Sequence, residues 1–241
     1  MGSQEKYLYL HIPKTGGVSF RQIMEDAFPV DKILHVARPA DILTHTNETL
    51  DQYRFIHGHF SMCHVEHLSG FKKITSLRDP VSRCLSTYDF WRGLTDSPAW
   101  PERSRIQIRR AQALSLEGLI DHPDPLTSRH FNNVQTRMLS GIADDSMIMT
   151  AEHLEMALNN LASFEFIALN EQLEESREML CLKFGFYFPG DPVRLNQTSV
   201  RSAVSSELVD RLKASNQLDM QLIQALQGRG LESINNVIRP F

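Results

Sequence analysis

Apolar residues fall in short runs separated by polar turns. Tyr7 to Ile12 is an apolar, aromatic run and predicts a buried strand. Pro13 to Gly17 breaks regular structure. Ser19 is placed to cap a helix in which Phe20, Ile23, Met24 and Ala27 recur at helical spacing, with Pro29 ending it. Tyr53 to Ile56 predicts a second strand and Lys73 to Leu77 a third. After Pro80, the residues Val81, Cys84, Leu85 and Tyr88 recur at i, i+3, i+4 and i+7, which predicts a helix. Leu154, Ala157, Leu158 and Leu161 repeat that pattern. Phe164 to Leu169 predicts a fourth strand. A helix from about Leu173 to Phe184 stops at Gly185, and one long helix is expected from about Ser205 to Gln227. Strands alternating with helices imply an α/β fold with a mainly parallel central sheet. Asp96 to Ser146 holds Pro98, Pro101, Pro123 and Pro125 and reads as mixed helices and loops over the sheet's active edge.

Length and composition narrow the class. A chain of 241 residues fits one domain with a sizeable core, and 41% hydrophobic against 22% charged residues excludes a mainly disordered chain. A net charge of −4 argues against a general nucleic-acid binder but leaves room for a local basic pocket. Cys63, Cys84 and Cys181 are too few for a disulfide framework, so a reducing, cytoplasmic setting is expected. The run Tyr7–Leu10 is too short for a signal core or a membrane span, so no membrane association is expected. Sequon matches at Asn47 and Asn196 read as chance.

The sharpest segment is His11-Ile-Pro-Lys-Thr-Gly-Gly-Val-Ser-Phe20. A loop between strand and helix presents free N–H groups and the positive helix end to an anion. Gly16 and Gly17 allow close approach, Lys14 adds a point charge, and Thr15 and Ser19 add hydroxyls. It is not a Walker A loop, because Lys14 precedes the glycines. The bland alternative is a Gly-Gly turn with a solvated lysine.

Pro13 to Phe20 resembles the 5′-phosphosulfate loop of sulfotransferases that use 3′-phosphoadenosine 5′-phosphosulfate (PAPS). The similarity is to the branch containing heparan sulfate 2-O-sulfotransferase-like enzymes and small soluble bacterial members. Ile74 to Tyr88 resembles that family's 3′-phosphate motif, which carries over onto Arg78 and Ser86. Arginine suits a terminal phosphate because its planar fork bonds two oxygens. A charged strand-to-helix turn is the plainer reading of the same residues. Ile56-His-Gly-His-Phe60 matches the branch's catalytic-base segment, which makes His59 the implied base and His57 a supporting or acceptor-contacting residue. An imidazole with a pKa near ~6.5 can take the acceptor's proton at neutral pH.

Other readings stay open. His57, His59, Cys63, His64 and His67 crowd together as a zinc site might, but their spacing fits no standard finger. Thr198 and Arg201 loosely match a late loop that closes over the adenine and 3′-phosphate. Arg137 lies in a segment resembling bacterial members. Arg103, Arg105, Arg109 and Arg110 form either an anion-holding patch or a solvated helix face.

The resemblance implies a P-loop-NTPase-like sulfotransferase fold in a single domain over residues 1–241. Its cofactor-binding core would cover about 7–92 and 164–202, and its acceptor-covering region about 93–150. Lys14, Thr15, Gly16, Gly17, Val18, Ser19, Phe20, Arg78, Ser86, Thr198 and Arg201 are the implied cofactor contacts, with His11, His57 and Arg137 toward the acceptor. The implied reaction moves a sulfuryl group from PAPS to a hydroxyl or amine and releases PAP. No metal is required; His59 is the base and Lys14 stabilises the transferring and leaving groups. A small-molecule acceptor is expected, such as a bacterial natural product, with a saccharide as the alternative. A kinase-like or non-catalytic nucleotide-binding protein is the competing class.

Overall fold

The computed structural model describes residues 5–144, 146–187 and 204–227. Its centre is a five-stranded sheet of β1 (Tyr7–Leu10), β2 (Ile33–Val36), β3 (Phe55–Gly58), β4 (Lys72–Leu77) and β5 (Phe164–Leu169). The strand order is β2-β3-β1-β4-β5, and every pairing is parallel. The chain builds β2 and β3 on one side of β1, then crosses to place β4 and β5 on the other. The carboxyl end of β1 is therefore the switch point of the sheet, where open α/β folds place their ligands.

Buried side chains on both faces make the strands near-continuous apolar runs, as parallel sheets require. Tyr7, Leu8, Tyr9 and Leu10 of β1 are all at most 2% exposed. Each large apolar side chain buried this way contributes about 1.5–3 kcal/mol. A second apolar cluster gathers Val81, Cys84, Tyr88, Phe131, Leu208 and Leu212.

Four of the strands were legible, but three details of the pattern change. Strand β2 was not expected: its Ile33 and Leu34 are only half-buried and His35 is exposed, so it lacks a core strand's apolar run. The expected strand at Tyr53 begins instead at Phe55, because Tyr53 closes a turn by donating to Leu50 O at 3.1 Å. The expected single C-terminal helix is two, Ser206–Ser215 and Gln217–Gln227. Asn216 separates them, and its buried amide donates to Phe131 O at 2.7 Å and accepts from Asn133 N at 3.0 Å. Asp219 then accepts from Gln135 N, Thr136 N and Thr136 Oγ1, which anchors the start of the Val134–Ser140 helix.

The proline-rich middle holds the helices Glu102–Ala113, Leu116–Ile120, Pro125–Ser128 and Val134–Ser140. Three members of the arginine patch are ion-paired: Arg105 with Asp96 at 2.7 Å, Arg109 with Glu102 at 2.6 Å and Arg110 with Asp124 at 2.5 Å. That favours the helix-face reading for those three. Among the described residues, no helix is long and apolar enough to cross a membrane.

Candidate active site

The loop after β1 enters its helix, Gly17–Asp26, through two left-handed residues, Lys14 (φ 69°) and Gly16 (φ 83°). Gly16, not Ser19, occupies the N-cap, and no side chain caps the helix. Ser19 is buried in the first turn, with its N–H on Gly16 O at 3.2 Å. First-turn N–H groups left without a side-chain cap, together with the positive end of the helix, form an anion cradle. Both glycines are sterically required. A Cβ on Gly16 would lie 2.2 Å from Asn170 Oδ1, and one on Gly17 would lie 2.2 Å from the His11 ring and 2.7 Å from Tyr9 OH.

Thr15 turns inward. Its Oγ1 donates to Ile12 O at 2.8 Å and lies 2.8 Å from Ser76 Oγ, which in turn sits 2.5 Å from Tyr9 OH. This buried chain of hydroxyls braces the loop from beneath, so Thr15 offers a ligand only its backbone N–H. Lys14 lies over the Phe90 ring, with Nζ 3.9 Å from the centroid. Burial, and then the Arg78 charge, lower its pKa to about 8. Val18 is half-buried and Phe20 is a core residue.

Arg78 follows the last residue of β4, and its Nη1 donates to Lys14 O at 3.2 Å, tying the two motifs together. Gln135 holds the Arg78 backbone at both polar groups, accepting from N at 2.9 Å and donating to O at 2.8 Å. Asp79 caps the Pro80–Gly93 helix by accepting from Ser82 N at 2.7 Å. Ser86 is half-buried roughly two turns into that helix.

His57 in the third strand and His59 just past its end take different roles. His57 was expected near the acceptor, yet it is 2% exposed. It stands in register between Tyr9 of β1 and His35 of β2, and it stacks on His35 at 4.8 Å and 7°. Its Nε2 is 3.2 Å from Glu25 Oε1, without hydrogen-bonding alignment. Burial first, then His35, Arg21 and His59, lower its pKa to about 3, so it is neutral at any working pH. His59 lies just past the strand end and is exposed. Its ring sits 4.8 Å from that of His11, which stacks on Tyr9. Protein packed around the His59 ring lowers its pKa, and His35 and Arg21 add to the effect. His11 is pushed well below the usual histidine range by burial, then by His59, Arg21, His57 and Lys14.

The remaining candidates divide. His64 Nδ1 accepts from Ser61 N at 3.2 Å, an ordinary helix cap. Among the described residues, no three His, Cys, Asp or Glu side chains group to hold a metal. Arg137 is 8% exposed and donates to Asp144 O at 2.8 Å and Met147 O at 2.7 Å. Thr198 and Arg201 lie outside the described residues.

Sequence reasoning missed Tyr9, Ser76, Arg21, Gln135, Asn170 and Phe90. Alternation along β1 puts Tyr9 and His11 on one face, and helical spacing puts Arg21 one turn past Gly17, so those two were findable. Gln135 and Asn170 reach the site from 57 residues beyond Arg78 and from beyond β5, with no local signal.

A family model described as the sulfotransferase family matches residues 1–227. A sulfotransferase from Alicyclobacillus acidocaldarius, known from its crystal structure, aligns with a TM-score of 0.49 and 14% identity, covering 96% of this chain and 99% of that one. No curated protein matches.

Proposed function

This chain belongs to the sulfotransferase family, and on that premise we propose that it moves a sulfuryl group from PAPS to a hydroxyl or amine of a small-molecule acceptor, releasing PAP. The observation that supports this most is a convergence at the switch point of the sheet. An uncapped helix start and the Arg78 guanidinium, bonded to Lys14 O, lie there, with the Lys14 ammonium over the Phe90 ring and an exposed His59 just past the neighbouring strand end. A Cβ on Gly16 would strike Asn170 and one on Gly17 would strike His11 and Tyr9, so the glycines let the loop lie tightly against its neighbours.

When bound, PAPS supplies the sulfuryl group. The chain's residues do the rest. His59, neutral at pH 7, accepts the acceptor's proton as the new bond to sulfur forms. The bond from sulfur to the bridging oxygen breaks, and its electron pair stays on the 5′-phosphate. Lys14 and the first-turn amides stabilise that developing charge, as preorganised donors do in phosphoryl transfer. Arg78 and Ser86 hold the 3′-phosphate, the group that separates this donor from ATP. Thr198 and Arg201 complete the cofactor side, and His11 lines the acceptor side behind His59. Residues about 7–92 and 164–202 serve the donor, and about 93–150 cover the acceptor, for which a bacterial natural product is the working choice. The protein acts in the cytoplasm.

A thermal-shift comparison of PAP, ADP and ATP tests the donor class, because a ligand stabilises the state it binds by mass action. A shift unique to PAP supports the assignment. Equal shifts with ADP or ATP sink it and favour the kinase-like reading.

A further inference from the structure

Lys14 is held from three sides. Its backbone is left-handed at φ 69°, a conformation that a residue with a side chain keeps only where its surroundings impose it. Its carbonyl accepts from Arg78 Nη1 at 3.2 Å. Its ammonium lies 3.9 Å from the centroid of the Phe90 ring. Phe90 stands four residues past Ser86 on the Pro80–Gly93 helix, so the two side chains share one face of it. The ring is 37% exposed and packs in neither of the two apolar clusters.

Core packing therefore gives no account of an aromatic ring at this place, whereas the charge above it does. A cation over a ring face is attracted by the ring's quadrupole. A carboxylate would also hold the ammonium, but it would cancel the charge and repel a polyanionic donor. The ring holds the ammonium with neither effect. Among the described residues, no carboxylate is paired with Lys14. The charged group that acts on it, Arg78, repels it. His11 feels the Lys14 charge but is itself kept neutral by burial.

We propose that Phe90 is a positioning residue: its ring is the seat that keeps the Lys14 ammonium charged and in place beside the phosphosulfate loop. Its effect on turnover rests on the sulfuryl-transfer reading, whereas the seat itself stands on the contact between ring and ammonium.

Phe90→Leu keeps an apolar side chain over the lysine and removes the quadrupole. Replacing Phe90 by pentafluorophenylalanine keeps the ring and reverses its quadrupole, and serves should the leucine variant fail to fold. Both changes disfavour the ammonium against the neutral amine. In the full chain without donor, NMR of carbon-13-labelled lysines, assigned with Lys14→Met, reads the Lys14 titration directly. It should move toward lower pH by about half to one and a half units. The alkaline limb of kcat/KM should move with it, and kcat/KM should fall by about two- to thirtyfold. Phe90→Trp offers a ring face that attracts cations more strongly and should return both to near the parent values. A folded variant whose Lys14 titration stays in place, even with activity lost, would overturn the proposal, and so would a tryptophan variant that behaves like the leucine one. A shifted Lys14 titration in a protein that transfers no sulfuryl group would keep the seat and sink the transfer reading.

Discussion

Gln135 and Arg78 are joined at two points: one side-chain amide pairs with both the N–H and the C=O of the arginine backbone. The arginine stands at the turn from strand to helix, where neither group has a sheet partner. Its side chain reaches Lys14 O, so the amide sets the position of both cationic residues. Gln135→Leu removes both bonds and leaves two half-buried backbone groups unpaired. We expect about 1–3 kcal/mol of lost stability and a PAP affinity weakened about tenfold. Urea midpoints and PAP titration check this. Unchanged PAP affinity in a folded variant would show that Gln135 has no positioning role.

His59 and Lys14 predict opposite limbs of one pH profile. His59 titrates below the usual histidine value, so it is an available base at pH 7 and is lost only on the acid side. Lys14, with a pKa of about 8, loses its charge as pH rises past that value in the free enzyme. The kcat/KM profile should therefore fall above about pH 8 and also on the acid side. Lys14→Met should remove the alkaline limb while lowering the rate. His59→Ala should cut turnover by about 10²–10⁴ and leave PAP affinity nearly intact. Retained turnover with lost PAP affinity would refute the base assignment.

His57 makes the fold sensitive to acid. Its folded pKa is about 3, against ~6.5 when unfolded. Between these values the unfolded chain binds a proton that the folded chain does not. The His57 contribution to stability is therefore constant above about pH 6.5 and falls as pH drops toward 3, by up to about 1.4 kcal/mol per unit. His57→Phe keeps the stack on His35 without the titrating nitrogen. Denaturant midpoints across this range should fall less steeply in that variant. Parallel curves for both proteins would mean that His57 contributes nothing.

Gly17 is where backbone and chemistry press closest. A methyl group there would collide with the His11 ring and Tyr9 OH. Gly17→Ala should push His11 toward His59 and disturb the brace through Ser76. The expected result is destabilisation of about 1–3 kcal/mol together with loss of PAP binding. A variant that binds PAP like the parent, by thermal shift, would show that the cradle tolerates the methyl group.

The sequence by itself determined the strand–loop–helix at Lys14 and Gly16, the strand-to-helix turn at Arg78, and a histidine just past the strand predicted at Tyr53–Ile56. These are local patterns, legible because apolar periodicity and glycine or proline punctuation act over a few residues. The sequence put both His57 and His59, two residues apart, beside the acceptor, His59 as base and His57 as a supporting or acceptor-contacting residue. Only the tertiary structure separated them, because packing against Glu25 and His35 buries one while the other lies past the strand end. Thr15 looked like a ligand donor until Ser76 and Tyr9 were brought beneath it. Asn216 looked helical until its amide was claimed by Phe131 and Asn133. Gln135 and Asn170 left no trace in any local window. Their partners lie far along the chain, and such pairings exist only once the parallel sheet has drawn β1, β3, β4 and β5 into one row.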